Sequence, residues 1–266
     1  MSNRLIEEKR MEIHILLLLF QIGIMVLSEV LHLHIGSAGI AVGNDCWQLY
    51  CLEHNLNVDG WMLNEEKPPT CFFAARDQEK QFRPRAIFID HRESTAIDRI
   101  RTSRMKNFYT DDQFVILEDS MDKIRKEIES YDEFQGFIFS HSTYGQCSNA
   151  SSDLLMNLKN EYSKKIILTN SIIGSSVDIV HMSNLLNYAD VIIPMENKAI
   201  YDICHHRLNI QTPAEFLNIN RLIALCWSNI TSSMRFDGCL LSDLNEFQTS
   251  LIPFPSLKII SSIYHL

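Results

Sequence analysis

Gly36, Ser37 and Gly39 stand where an apolar stretch gives way to a helical pattern, in the run LHIGSAGIAVGNDCW at residues 33–47. A short strand that runs into a glycine-containing turn and then a helix can hold nucleotide phosphates on exposed backbone N–H groups. On the residues alone, the same glycines also fit a turn that needs only positive φ. Cys204, His205 and His206 are metal-ligand types, but adjacent helical positions diverge by about 100° around the axis, so the three do not readily face one ion. His32 and His34 share a strand face and read as packed or solvated side chains.

Composition bounds the chemistry. With 266 residues, 46% hydrophobic and 21% charged, the chain can bury a sizeable core in one large domain or two modest ones. A net charge of -9 argues against a surface that neutralises phosphates along a duplex, so nucleic acid is not an expected partner. Seven cysteines, an odd number without metal-ligand spacing, read as reduced thiols of a cytosolic protein. Residues 13–27 are the most apolar stretch. They are shorter than the ~18 residues of a membrane span, follow charges of both signs and precede no small-x-small cleavage site, so they read as an appended buried extension and not as a targeting signal. No membrane association is expected.

The elements that must position the glycine turn follow from hydrophobic patterning. Continuous apolar runs at residues 30–35, 86–89, 136–140, 166–168 and 191–194 predict strands covered on both faces, as in a parallel sheet. Between them, Leu117, Met121, Ile124, Ile128 and Tyr131 recur at helical spacing, as do Ile219, Leu222, Ile223, Cys226, Ile230 and Met234. The alternation predicts a doubly wound, mostly parallel α/β sheet whose ligand crevice lies beyond the carboxyl ends of the strands.

The opening run, continued by QLYCLEH at residues 48–54, resembles the start of an alpha-type tubulin. PRAIFID at 84–90, AIYDIC at 199–204, NINRLI at 218–223, RFDG at 235–238 and EFQTSLIPFP at 246–255 resemble further tubulin phrases in the same order. The resemblance divides the chain into an apolar extension at 1–28, a tubulin-like GTP-binding domain at 29–255 and, at 256–266, the start of an intermediate domain that is cut short. It implies a guanine-nucleotide-binding subunit of microtubules, cytoplasmic and cytoskeletal, that holds GTP or GDP and meets another tubulin subunit through a longitudinal interface.

Site residues carry over from the tubulin pattern position by position. Gly36 and Ser37 fall in the first phosphate loop, with Ser37 where tubulins have a glutamine. The loop that reads GGGTGSG in tubulins corresponds to residues 144–150, after Ser142. Gly145 is retained there, Gln146 and Cys147 replace small residues, and Tyr144 brings a large side chain to the entrance. Ser148 and Asn149 could serve as helix caps. Glu93 matches the magnesium-associated glutamate of the DLEPT motif if one residue is inserted, although Arg92 beside it opposes a cation and a simple solvated loop is the alternative. Asn197 and Asn220 match guanine-contacting asparagines, and Phe216 matches a stacking tyrosine if one residue is inserted after Pro213. Ser175 and Ser176 match the ribose contacts only ambiguously.

Glu246 matches the glutamate that one tubulin subunit presents to its neighbour's nucleotide, in a loop where Leu241 replaces an asparagine. The tubulin contact to the terminal phosphate has no counterpart between Thr102 and Gln135, so hydrolysis is expected to be impaired. Two other readings stay open, a non-enzymatic module that contacts tubulin and a degenerate product that no longer binds nucleotide.

Overall fold

The apolar run beginning at Val30 forms the strand around which the rest of the chain is arranged. In the computed structural model, which describes residues 28–76, 80–174, 176, 178–210, 216–236 and 243–261, this strand is β1 (Ser28–Ile35). A separate antiparallel hairpin joins β2 (Phe73–Ala75) to β3 (Phe82–Pro84). The remaining strands are β4 (Ala86–Asp90), β5 (Phe114–Ile116), β6 (Glu133–Ser142), β7 (Ile166–Ile173) and β8 (Val191–Glu196). With β1 they make a six-stranded sheet in the order β5-β4-β1-β6-β7-β8, parallel at every pairing. The doubly wound parallel sheet expected from the sequence is therefore present. Residues 258–260 close the outer edge, where Ile192 and Ile260 donate backbone N–H groups to Lys258 and Ile192.

Helices cover both faces, which is why the strands read as continuous apolar runs. One face carries α1 (Gly36–Glu53), α2 (Thr95–Arg101), α6 (Asn197–His206), α7 (Phe216–Arg235) and α8 (Leu244–Leu251). The other carries α3 (Ser120–Ile128), α4 (Ser148–Glu161) and α5 (Ile179–Tyr188). Alternate residues of β1 serve the two sides: Leu31, Leu33 and Ile35 pack toward α3, α4 and α5, while Val30, His32 and His34 face the other way. Both histidines are buried. Trp47 Nε1 donates to His34 Nε2 at 3.1 Å, and burial pulls the His34 pKa down to about 3, so the ring packs as a neutral group.

Two expectations shift in detail. The helix foreseen from Leu117 to Tyr131 is α3 alone, because Leu117–Asp119 forms a 3-10 turn and backbone turn bonds from Glu129, Ser130 and Tyr131 end the helix. Strand β5 and the β2–β3 hairpin were too short for their patterning to register. The apolar residues 13–27, Ser175, Pro213, Leu241 and residues 262–266 lie outside the described residues. Among the described residues, no helix is long and apolar enough to cross a membrane.

The tightest joint lies between α1 and the sheet. A Cβ on Gly39 would sit 2.4 Å from the backbone oxygen of Ser140 in β6, closer than any relaxed contact allows. Further along, Arg235 at the end of α7 is buried over the Tyr50 ring and donates to Glu53 Oε2 at 2.6 Å and to the Ser228 oxygen at 2.7 Å. Gly39→Val forces backbone to move apart. It should cost about 3 kcal/mol or more, read as a lower urea midpoint at unchanged slope.

Candidate functional site

Because β4 and β6 flank β1 on opposite sides and the helices that follow β1 and β6 lie on opposite faces, the carboxyl ends of β1 and β6 are the place where an open α/β sheet forms its ligand crevice. The first turns of α1 and α4 begin there. Neither helix has a side-chain cap on its leading N–H groups, and neither has an acidic residue in its first turn. Such ends attract negative charge through unpaired N–H donors and the helix dipole. Gly36 turns the chain from β1 into α1 at φ +69, and a Cβ on it would lie 3.0 Å from Cys147 Cβ. The two loops thus touch through Gly36 and Cys147.

The second loop is held from within. Ser142 Oγ donates to the Tyr144 oxygen at 2.8 Å and accepts from Tyr144 N at 3.3 Å. Gly145 follows at φ +108, and Tyr144, Gly145 and Gln146 are all exposed. Ser148 and Asn149 do not cap the helix. Cys147 holds the capping position, and Ser148, one residue further in, donates its hydroxyl to the Gly145 oxygen at 2.9 Å.

Cys147 reaches across to β4, where its Sγ donates to Asp90 Oδ1 at 3.1 Å. Asp90 is fully buried and also accepts from His91 N at 2.9 Å, His91 Nδ1 at 2.7 Å and, through Oδ2, Ser94 Oγ at 2.6 Å. Burial raises the Asp90 pKa, but the hydrogen bonds from Ser94, Cys147 and His91 outweigh it and hold the carboxyl below its usual range. Burial first, then Asp90, pushes the Cys147 thiol up to about 12. Glu93, the expected metal-associated residue, is exposed in the following turn. The acidic group joined to the second loop is Asp90.

On the other side of α1 lies a cavity of about 180 Å³ whose lining includes Ser37, Asn44, Asp45, Arg99 and Asn220. It is smaller than the ~300–1,000 Å³ of a typical ligand pocket, so it can take one part of a ligand. Phe216 sits one turn before Asn220 on the same face of α7 and is 73% exposed. Asn197 opens α6 and does not line this cavity, yet its Oδ1 is buried without a hydrogen-bond partner. An unmet buried acceptor costs about 1–3 kcal/mol, which a ligand donor would recover.

Glu246 lies elsewhere. Asp243 Oδ1 accepts from Glu246 N at 2.7 Å, and Leu244 N donates to Gln135 Oε1 at 3.0 Å. Gln135 is near the amino end of β6, seven residues before Ser142, and at ~3.3 Å per residue this places Glu246 on the order of 20 Å from the crevice.

Comparison with known sequences decides the family. The profile described as Tubulin/FtsZ family, GTPase domain, matches residues 29–205. The chain belongs to the Tubulin/FtsZ family. It is 36% identical over 271 residues to the "Tubulin alpha chain, nucleomorph" of Guillardia theta, covering 88% of this chain and 60% of the relative. It is 35% identical to the "Tubulin alpha-2 chain" of Caenorhabditis elegans over 86% of this chain and 58% of the relative. For the "Tubulin alpha-1 chain" of Arabidopsis thaliana the identity is 32%, over 89% and 60%. The chain thus spans about 60% of the length of these relatives.

In this chain the structure joins Gly36 to Cys147 and Ser37 to Asn220, and it holds Glu246 apart from both pairs. Sequence reasoning missed Asp90, His91 and Asp45. For Asp45 a signal existed, since Ser37, Ala41 and Asp45 recur at helical spacing and all line the cavity. Burial, partly offset by Arg221, raises the Asp45 pKa from 3.8 to about 6. The folded state is therefore the better proton binder, and the stability from this group is present below pH 3.8 and lost as pH rises through about 6. Asp45→Asn should be more stable than the parent above pH 6, with the advantage gone near pH 4, in urea titrations across that range.

Proposed function

We propose that this domain binds a guanine nucleotide, GTP or GDP, as a tubulin-like cytoskeletal subunit. The observation that carries the reading is the pair of helix starts, neither with a side-chain cap nor an acidic residue in its own first turn, that meet at Gly36 and Cys147 and so can approach phosphate. Gly36, Ser37, Ser142, Gly145, Gln146 and Cys147 would hold the phosphate side. Asn197, with its unmet acceptor, would take a base N–H, Asn220 would offer its amide, and exposed Phe216 would stack on the purine. Names of the relatives as tubulin alpha chains support the same assignment.

Hydrolysis at the domain's own site is proposed to be weak. Ser37 is shorter than the glutamine of the tubulin pattern, and Tyr144 stands in a run that is otherwise glycine-rich in tubulins. Magnesium fits poorly here, because Glu93 is exposed and the groups gathered around Asp90 are an imidazole nitrogen and a thiol sulfur, whereas magnesium takes oxygens. Glu246, at the far end of the sheet, would present its carboxylate to the nucleotide of a longitudinal tubulin neighbour.

Titration of the purified chain with fluorescent GDP and GTP, with and without magnesium, tests the proposal. Saturable binding that guanine and not adenine nucleotides displace is expected, weakened about tenfold by Asn197→Ala and about fivefold by Phe216→Ala. Absence of binding would leave the interaction-module reading in its place. Glu246→Ala should leave this binding unchanged while lowering GTP turnover in co-assembly with tubulin, and unaltered turnover would remove its role in trans.

A further inference from the structure

We propose that Asp90, His91 and Cys147 form a binding site for a divalent ion of the zinc class at the rim of the crevice. His91 Nδ1 and Cys147 Sγ lie 2.7 and 3.1 Å from Asp90 Oδ1, and one ligand atom from each residue falls within 4.8 Å of the other two. Zinc bonds of roughly 2.0 Å to nitrogen and oxygen and 2.3 Å to sulfur put tetrahedral ligand atoms roughly 3.3–3.7 Å apart, so small side-chain rotations make room for the ion. The donors are one nitrogen, one oxygen and one sulfur. That set suits a borderline-soft ion and does not suit magnesium, which takes oxygens.

The surroundings fit a built site. Ser94 Oγ donates to Asp90 Oδ2 at 2.6 Å, which fixes the carboxylate plane and leaves Oδ1 directed at the other two ligands. Asp90 is fully buried at the end of a core strand, whereas His91 and Cys147 are half-buried, so the ion can enter from solvent. On binding, the Cys147 S–H bond breaks and its proton passes to water, the His91 proton moves through solvent from Nδ1 to Nε2 so that the neutral imidazole coordinates through Nδ1, and Asp90 stays ionised. One proton is released per ion. The two anionic ligands balance the ion's charge, and Arg92 is exposed in the adjoining turn. With three protein ligands, the fourth position falls to water or to an oxygen of a ligand in the crevice.

The site does not depend on the nucleotide proposal, and nucleotide-free protein separates the two. Cobalt(II) added to the purified, reduced chain should give a thiolate-to-cobalt charge-transfer band that saturates at one equivalent, disappears on adding zinc and survives excess magnesium. Cys147→Ser should abolish the band, Cys71→Ser should retain it, and His91→Ala should weaken zinc binding at least about tenfold. No band in folded wild-type chain, or a band that persists in Cys147→Ser, overturns the proposal. Should Cys147→Ser fail to fold by circular dichroism, His91→Ala decides, since its ring is half-exposed, and zinc affinity equal to wild type overturns the site.

Discussion

The close seat of α1 on the sheet is the constraint from which the rest of the molecule follows. Added side chains at Gly39 and Gly43 would reach 2.4 Å from the Ser140 backbone oxygen and from the His34 ring. Only a helix that is bare at those positions can lie this near. The approach fixes the direction in which the first turn of α1 emerges, and therefore where its N–H groups point. It also brings Trp47 and Tyr50 against β1 and α7, where the buried Arg235 guanidinium ties α7 back to the partly exposed Glu53 carboxylate. A charge so enclosed stabilises only while its partner remains, so α1 and α7 hold their alignment as a unit.

The architecture was legible because burial on two faces leaves a simple trace. Continuous apolar runs marked five of the six sheet strands, and their alternation with helices gave the winding. Strand β5, with three residues at the edge, leaves no such trace, and a hairpin as short as β2–β3 is settled by tertiary contacts and not by local pattern. The candidate site was legible only where the chain is locally organised. Gly36 and Ser37 sit in one turn, and Phe216 and Asn220 in one helix. Asp90, His91 and Cys147 are 57 residues apart at their furthest hydrogen bond, and only the parallel pairing of β4 and β6 on either side of β1 brings them together. No spacing rule along the chain could show that.

The chemistry of the crevice differs from a plain phosphate cradle. Small side chains would leave the backbone N–H groups as the principal contacts, whereas here a thiol, an imidazole and a buried carboxylate occupy the junction of the two loops. Asp90 carries four donated hydrogen bonds, an arrangement that keeps it ionised in a buried setting. The polar groups at this junction are therefore interdependent, and a change in one alters the field at the others.

The placement of Glu246 at the amino ends of the strands, with the crevice at their carboxyl ends, gives the domain a direction. Two unlike surfaces at opposite ends of a parallel sheet cannot be exchanged by a twofold axis. An assembly that joined one to the other would be heterologous, each copy facing the same way, and would extend as an open polar row unless the rotation between copies closed it into a ring. A copy lacking either surface would terminate that row at one defined end.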